Sequence, residues 1–136
     1  MNDLEKIIND AFENKNTISS NTDGKIREAV NLTLDQLDKG IIRVCEKSDN
    51  KWHVNQWTKK AILLSFLLND NKILSGPYAT WYDKITGKTA NWSLKDHESA
   101  GFRFVPNGVV RKSAFIAKGV ILMPSFVNLG AYVDEG

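Results

Sequence analysis

After Pro106 the chain repeats at a fixed step. Aliphatic residues recur at Val110, Ile116 and Leu122, six apart, and again at Val127 and Val133, six apart after one interval of five. The residues four past each of the first four, Ala114, Val120, Phe126 and Ala131, are often small. A short period of this kind is the mark of a solenoid, in which each repeat buries its apolar residue only by stacking on its neighbours. The six-residue step predicts a left-handed parallel β-helix, a triangular coil whose sides each send one aliphatic residue inward and then turn a corner. The five-residue interval and the bulky Phe126 depart from the pattern. With three sides to a turn, Val110 to Gly136 holds about one and a half turns, where a solenoid needs on the order of three repeats and a cap. Gly136 falls in mid-repeat with no amphipathic cap after it, so the expectation is a truncated coil, or one whose end another subunit covers.

Upstream the grammar is helical and mixed. Leu4, Ile7, Ile8, Ala11 and Phe12 share one face of a short amphipathic helix. The polar stretch from Asn16 to Thr22 offers N-caps for a second helix, whose stripe is Ile26, Ala29, Val30, Thr33 and Leu37 and whose stop is Gly40 at the position after the cap. Ser48-Asp49-Asn50 separates two short runs that read as a hairpin. From Gln56 the helical period returns, with Trp57, Ala61, Leu64 and Leu68 on one side and Ile62, Leu63, Phe66 and Leu67 covering much of another, so this helix is expected to be largely buried. Gly76-Pro77 and Thr86-Gly87 are turn signals, Thr80 to Asp83 reads as a strand, Leu94 to Ala100 as a short helix closed by Gly101, and Phe102 to Phe104 as a strand before Pro106. The predicted class is α+β: an N-terminal helical α/β domain over 1–106, then the start of the β-helix over 107–136.

Charge and composition exclude several functions. A formal charge of +2 is far from the basic excess that phosphate-driven nucleic-acid binding needs. No apolar stretch approaches the ~20 residues that span a bilayer. The N-terminal MNDLEKIIND carries acids where a signal peptide needs a basic segment and an apolar run, and the single cysteine, Cys45, builds no internal disulfide framework, so a cytoplasmic protein is expected.

Several strings carry a more specific signal. They are Arg27-Glu28-Ala29-Val30, the run from Gln56 to Phe66, Gly101-Phe102-Arg103-Phe104-Val105-Pro106, Val110-Arg111 leading to Ala114-Phe115-Ile116-Ala117, and the run from Leu122 to Gly136. Together, and in this order over the whole chain, they resemble the tetrahydrodipicolinate N-succinyltransferases. The resemblance implies a homotrimer with active sites between neighbouring β-helices and transfer of a succinyl group from succinyl-CoA, the co-substrate, to 2-amino-6-oxopimelate, with no tightly bound cofactor. It also implies a substrate-binding role for Arg103. Guanidinium suits a dianionic substrate because its paired N–H donors grip a carboxylate in two hydrogen bonds, which a lysine cannot do. The family's catalytic aspartate lies just after the Asp-Glu-Gly string, and its catalytic glutamate and coenzyme-binding coils come later. No catalytic or coenzyme-binding residue is therefore expected within this chain, and the 136 residues alone are expected to be inactive. The alternatives are a non-catalytic assembly or binding module of hexapeptide type and another hexapeptide acyltransferase.

The remaining candidates read as structure. Asp134 and Glu135 are expected as turn residues at a coil corner, and His53 and His97 lack a further ligand at metal spacing, so no metal site is expected. Thr86-Gly87-Lys88-Thr89 ends like a phosphate loop, but Tyr82 stands where its first glycine belongs. Lys59 and Lys60 are expected on a solvated helix edge, and Cys45 as a small buried strand residue.

Overall fold

The computed structural model describes residues 3–136; Met1 and Asn2, the first residues of the acid-bearing N-terminal stretch, lie outside them. Three helices form the first layer: α1 (Asp3–Glu13), α2 (Lys25–Asp38) and α3 (Gln56–Leu67). Their predicted stripes meet in one core, where Ile8, Val30, Leu64 and Leu68 are almost wholly buried. Two expectations fail here. The Asn16 to Thr22 stretch does not cap α2; it forms a 3-10 turn at Lys15–Thr17, and α2 starts instead from Gly24, whose φ of 69° carries no side-chain cap. Nor is α3 buried all round, because α1 and α2 cover one face and leave Leu63 and Leu67 exposed.

Two antiparallel hairpins extend from this layer, β1 (Cys45–Ser48) with β2 (Lys51–Val54) and β3 (Lys72–Ser75) with β4 (Thr80–Asp83). Asp49 and Asn50 make the first turn with φ of 49° and 59°, the paired positive values of a two-residue hairpin loop, which short polar side chains tolerate. The strands of this first hairpin are open on both faces, so Cys45 is exposed, contrary to expectation.

A short helix, α4 (Leu94–Ala100), follows. Ser93 and Asp96 close a reciprocal capping box at its start, and Gly101 ends it at φ 70°. The Ser93 hydroxyl donating to Asp96, seconded by the Ser93 backbone N–H, holds the Asp96 carboxyl below its ordinary value of 3.8. A depressed folded-state pKa means the contribution is present above the unfolded value and lost as pH falls through the folded one. The protection factor of the amides in the first turn of α4, taken against the intrinsic exchange rate at each pH, is accordingly expected to be constant near neutrality and to fall in acid below that range, and Ser93→Ala is expected to shrink the acid step to the share held by the backbone N–H. Exchange measured by NMR across pH checks it.

Six two-residue strands complete the chain: β5 (Arg103–Phe104), β6 (Val109–Val110), β7 (Phe115–Ile116), β8 (Ile121–Leu122), β9 (Phe126–Val127) and β10 (Tyr132–Val133). Each of the first three pairs in parallel with the third strand after it, β5 with β8, β6 with β9 and β7 with β10, so the chain returns over itself once every three strands. The ladder begins at Arg103, upstream of position 107, and its six strands make two rounds. The predicted inward residues Val110, Ile116, Leu122 and Val127 are buried, and Val133 is half-buried.

The five-residue interval has a clear consequence. Backbone N–H groups of the first round bond to Val120, Ser125 and Ala131 in the second, so Ser125 holds the position that the count of six would give to Phe126. Phe126 moves into the outward strand position and is 63% exposed. Among the described residues no helix is long and apolar enough to cross a membrane.

Candidate functional site

Arg103 is the first residue of β5. Its backbone N–H donates to the Val120 carbonyl at 2.9 Å and it stands opposite Ile121 in the ladder. The flanking Phe102 is buried and Phe104 half-buried, so the alternation of the strand turns the Arg103 side chain outward. It is exposed and makes no hydrogen bond or ion pair among the described residues. A free guanidinium on a short, backbone-anchored strand can meet a carboxylate without first breaking an ion pair.

The surroundings of Arg103 come from the helix before it and the rung above it. Gly101 accepts from the Gly119 N–H at 2.8 Å, and the stem of Lys118 crosses close over Gly101, its Cγ 3.3 Å from where a β-carbon would lie. His97 is exposed and makes an edge-on contact with Trp92, at 5.1 Å between ring centres. Asp96 is held in the capping box.

The other candidates lie elsewhere. Asp134 accepts from the Glu135 N–H at 3.0 Å and stands 3.9 Å from Arg43. His53 is exposed on β2, and no group of three metal-ligating side chains occurs among the described residues. The Thr86 to Thr89 turn places the Lys88 ammonium 2.7 Å from Asp38 rather than in a phosphate cradle. Lys59 is exposed, but Lys60 is not on a free edge: its ammonium donates to Asn9 at 2.9 Å and lies 3.6 Å from Glu13.

One feature escaped the sequence reading. A cavity of about 710 Å³ opens between α3, the first hairpin and the corner before β10, lined by Arg43, Trp52, Ile62, Phe66 and Tyr132, and Arg103 is not part of it. Its walls come from three separated stretches with no shared motif, so no local pattern could have announced it.

Comparison with known proteins adds to this geometry. A family model described as the N-terminal part of tetrahydrodipicolinate N-succinyltransferase matches residues 3–68. Proteins named 2,3,4,5-tetrahydropyridine-2,6-dicarboxylate N-succinyltransferase are similar over nearly the whole chain. That of Pelagibacter ubique is 57% identical over 138 aligned positions, covering 99% of this chain and 50% of its own length. That of Bradyrhizobium diazoefficiens is 57% identical, covering 97% and 48%, and that of Cereibacter sphaeroides 56% identical, covering 97% and 49%. The chain spans about half the length of the curated relatives it matches.

Proposed function

We propose that the protein containing this chain, whose residues 3–68 match the model for the N-terminal part of tetrahydrodipicolinate N-succinyltransferase, transfers a succinyl group from succinyl-CoA to the amine of 2-amino-6-oxopimelate. The observation that carries this reading is the 57% identity sustained over 99% of the chain, through the helical layer and the strand ladder alike. We read the parallel ladder as the first turns of a left-handed β-helix, whose opening strand β5 lies at the end of a helical α/β unit that runs to residue 106, in a cytoplasmic homotrimer. The pairing of β5, β6 and β7 each with the third strand after it supports a three-sided coil.

In the reaction the amine nitrogen bonds to the thioester carbonyl carbon, the carbon–sulfur bond breaks, and coenzyme A leaves as the thiol. The proton that the amine loses goes to a general base and thence to the departing sulfur. No residue of this chain is assigned as that base. Arg103 is assigned to the substrate: two parallel N–H bonds to one carboxylate fix both charge and orientation, so that the amine meets the thioester in register.

The expected result with the whole protein is coenzyme A release, followed with a thiol reagent, that depends on the amino-oxopimelate. Arg103→Lys keeps the charge but loses the fork, and is expected to raise KM for the dicarboxylate about tenfold with KM for succinyl-CoA unchanged. Absence of amine-dependent release from the unaltered protein would overturn the reading.

A further inference from the structure

The substrate proposed above has a carboxylate at each end, and a single guanidinium satisfies only one of them. We propose that Lys118 is the second anion-binding residue, holding the distal carboxylate of the dicarboxylate that Arg103 grips. This inference rests on the proposed function and deepens it.

Three observations place Lys118 for the role. It sits in the turn before β8, the strand that pairs with the Arg103 strand, and the Gly119 N–H to Gly101 carbonyl bond of 2.8 Å pins that turn against the residues leading into β5. Its stem lies over Gly101, with Cβ, Cγ and Cδ 3.3 to 3.6 Å from the place a β-carbon would occupy. A side chain at position 101 would crowd that stem, so this glycine supplies the groove in which the lysine rests as well as the positive φ that ends α4. Gly101 is two residues from Arg103, a span of at most about 7 Å of chain. The stem of Lys118 and the backbone of Arg103 are thereby neighbours across one rung of the ladder.

The charges around Lys118 leave it available. It is exposed and forms no ion pair among the described residues, in contrast to Lys60, Lys88 and Lys112, each of which has a carboxylate partner. Asp96, on the helix that leads to Gly101, is occupied by Ser93. Arg103 and Lys118 are thus two exposed cations without a carboxylate partner among the described residues, on paired rungs of the ladder, and a ligand with an anionic group at each end is suited to use both.

The test uses the whole protein and pimelate, an unreactive seven-carbon dicarboxylate, as probe. Titration calorimetry is expected to give binding about tenfold weaker for Lys118→Gln, weaker again for Lys118→Glu, and close to the original for Lys118→Arg. Glutarate, two methylene groups shorter, is expected to lose less affinity than pimelate on Lys118→Gln. In turnover, Lys118→Gln is expected to raise KM for the amino-oxopimelate about tenfold, with kcat and KM for succinyl-CoA within twofold. Equal pimelate affinity in Lys118→Gln and the unaltered protein would overturn the inference, as would a rise in KM confined to succinyl-CoA, which would assign the lysine to coenzyme phosphate. The proposed function fails by a different result, the absence of amine-dependent coenzyme release from the unaltered protein.

Discussion

Replacing Asp38 by alanine is expected to lower the unfolding free energy by about 3–5 kcal/mol, the range for leaving one member of a buried ion pair without its partner. Asp38 ends α2, and its carboxylate performs two tasks. Oδ2 stands 2.7 Å from the Lys88 ammonium, and Oδ1 accepts the Ser113 N–H at 2.8 Å. The Lys88 side chain is only 6% exposed and that of Asp38 24%, so solvent screens this pair far less than a surface bridge. Lys88 also donates to the Asp38 carbonyl at 3.1 Å, supplying to the last turn of α2 the cation that its own sequence lacks. Ser113 has φ 76°, a backbone state that needs support from its neighbours, and loses a hydrogen-bond acceptor when Asp38 is truncated. The double change Asp38→Ala with Lys88→Met removes the stranded ammonium and is expected to recover at least ~1 kcal/mol relative to the single change. Urea unfolding of the three proteins measures this. A loss below ~1 kcal/mol in the single variant would show that α2 and the ladder are not joined through this pair.

Gly40→Ala is expected to cost about 2–4 kcal/mol, from two separable causes. Gly40 follows the C-cap of α2 with φ 69°; its N–H donates to Leu37 and that of Ile41 to Gln36, the paired bonds of a Schellman ending. Any L side chain in that left-handed state costs roughly 1–2 kcal/mol. The added β-carbon would also lie 2.8 Å from Phe115 Cδ2 and 2.9 Å from its Cγ. The ring cannot simply swing aside, because Tyr132 packs on it at 4.5 Å between centres and Arg43 lies 3.4 Å over Tyr132 in turn. Gly119→Ala supplies the comparison: its φ is 79°, yet nothing lies within 4 Å of the new carbon. It is expected to cost only the backbone share, about 1–2 kcal/mol. Equal losses at the two glycines would mean that Phe115 yields freely and that the contact between α2 and the ladder is loose.

These two sites also mark where a sequence reading stops. Gly40 as a helix stop was legible, because a helical stripe ending just before a glycine is a local signal. That the same glycine makes room for Phe115 was not, since nothing in either segment refers to the other. The substrate role proposed for Arg103 comes only from resemblance; by residue type alone an arginine beside a glycine is a surface cation. Lys118 carried no signal at all, because its pairing with Gly101 depends on which rung of the coil lands on which.

What the amino-acid order determined by itself is periodic. The stripes of α1 and α2, the stop at Gly40, the hairpin turn at Asp49 and Asn50, and the inward Val110, Ile116, Leu122 and Val127 all follow from spacing, because backbone geometry repeats every few residues and burial repeats with it. Only the tertiary structure decided which outward residues have company. It exposed both faces of the Cys45 hairpin, opened one side of α3 at Leu63 and Leu67, shifted Phe126 outward at the short corner, and joined Asp38 to Lys88 across 50 residues. Partnership of that kind depends on packing between distant segments, and no local period encodes it.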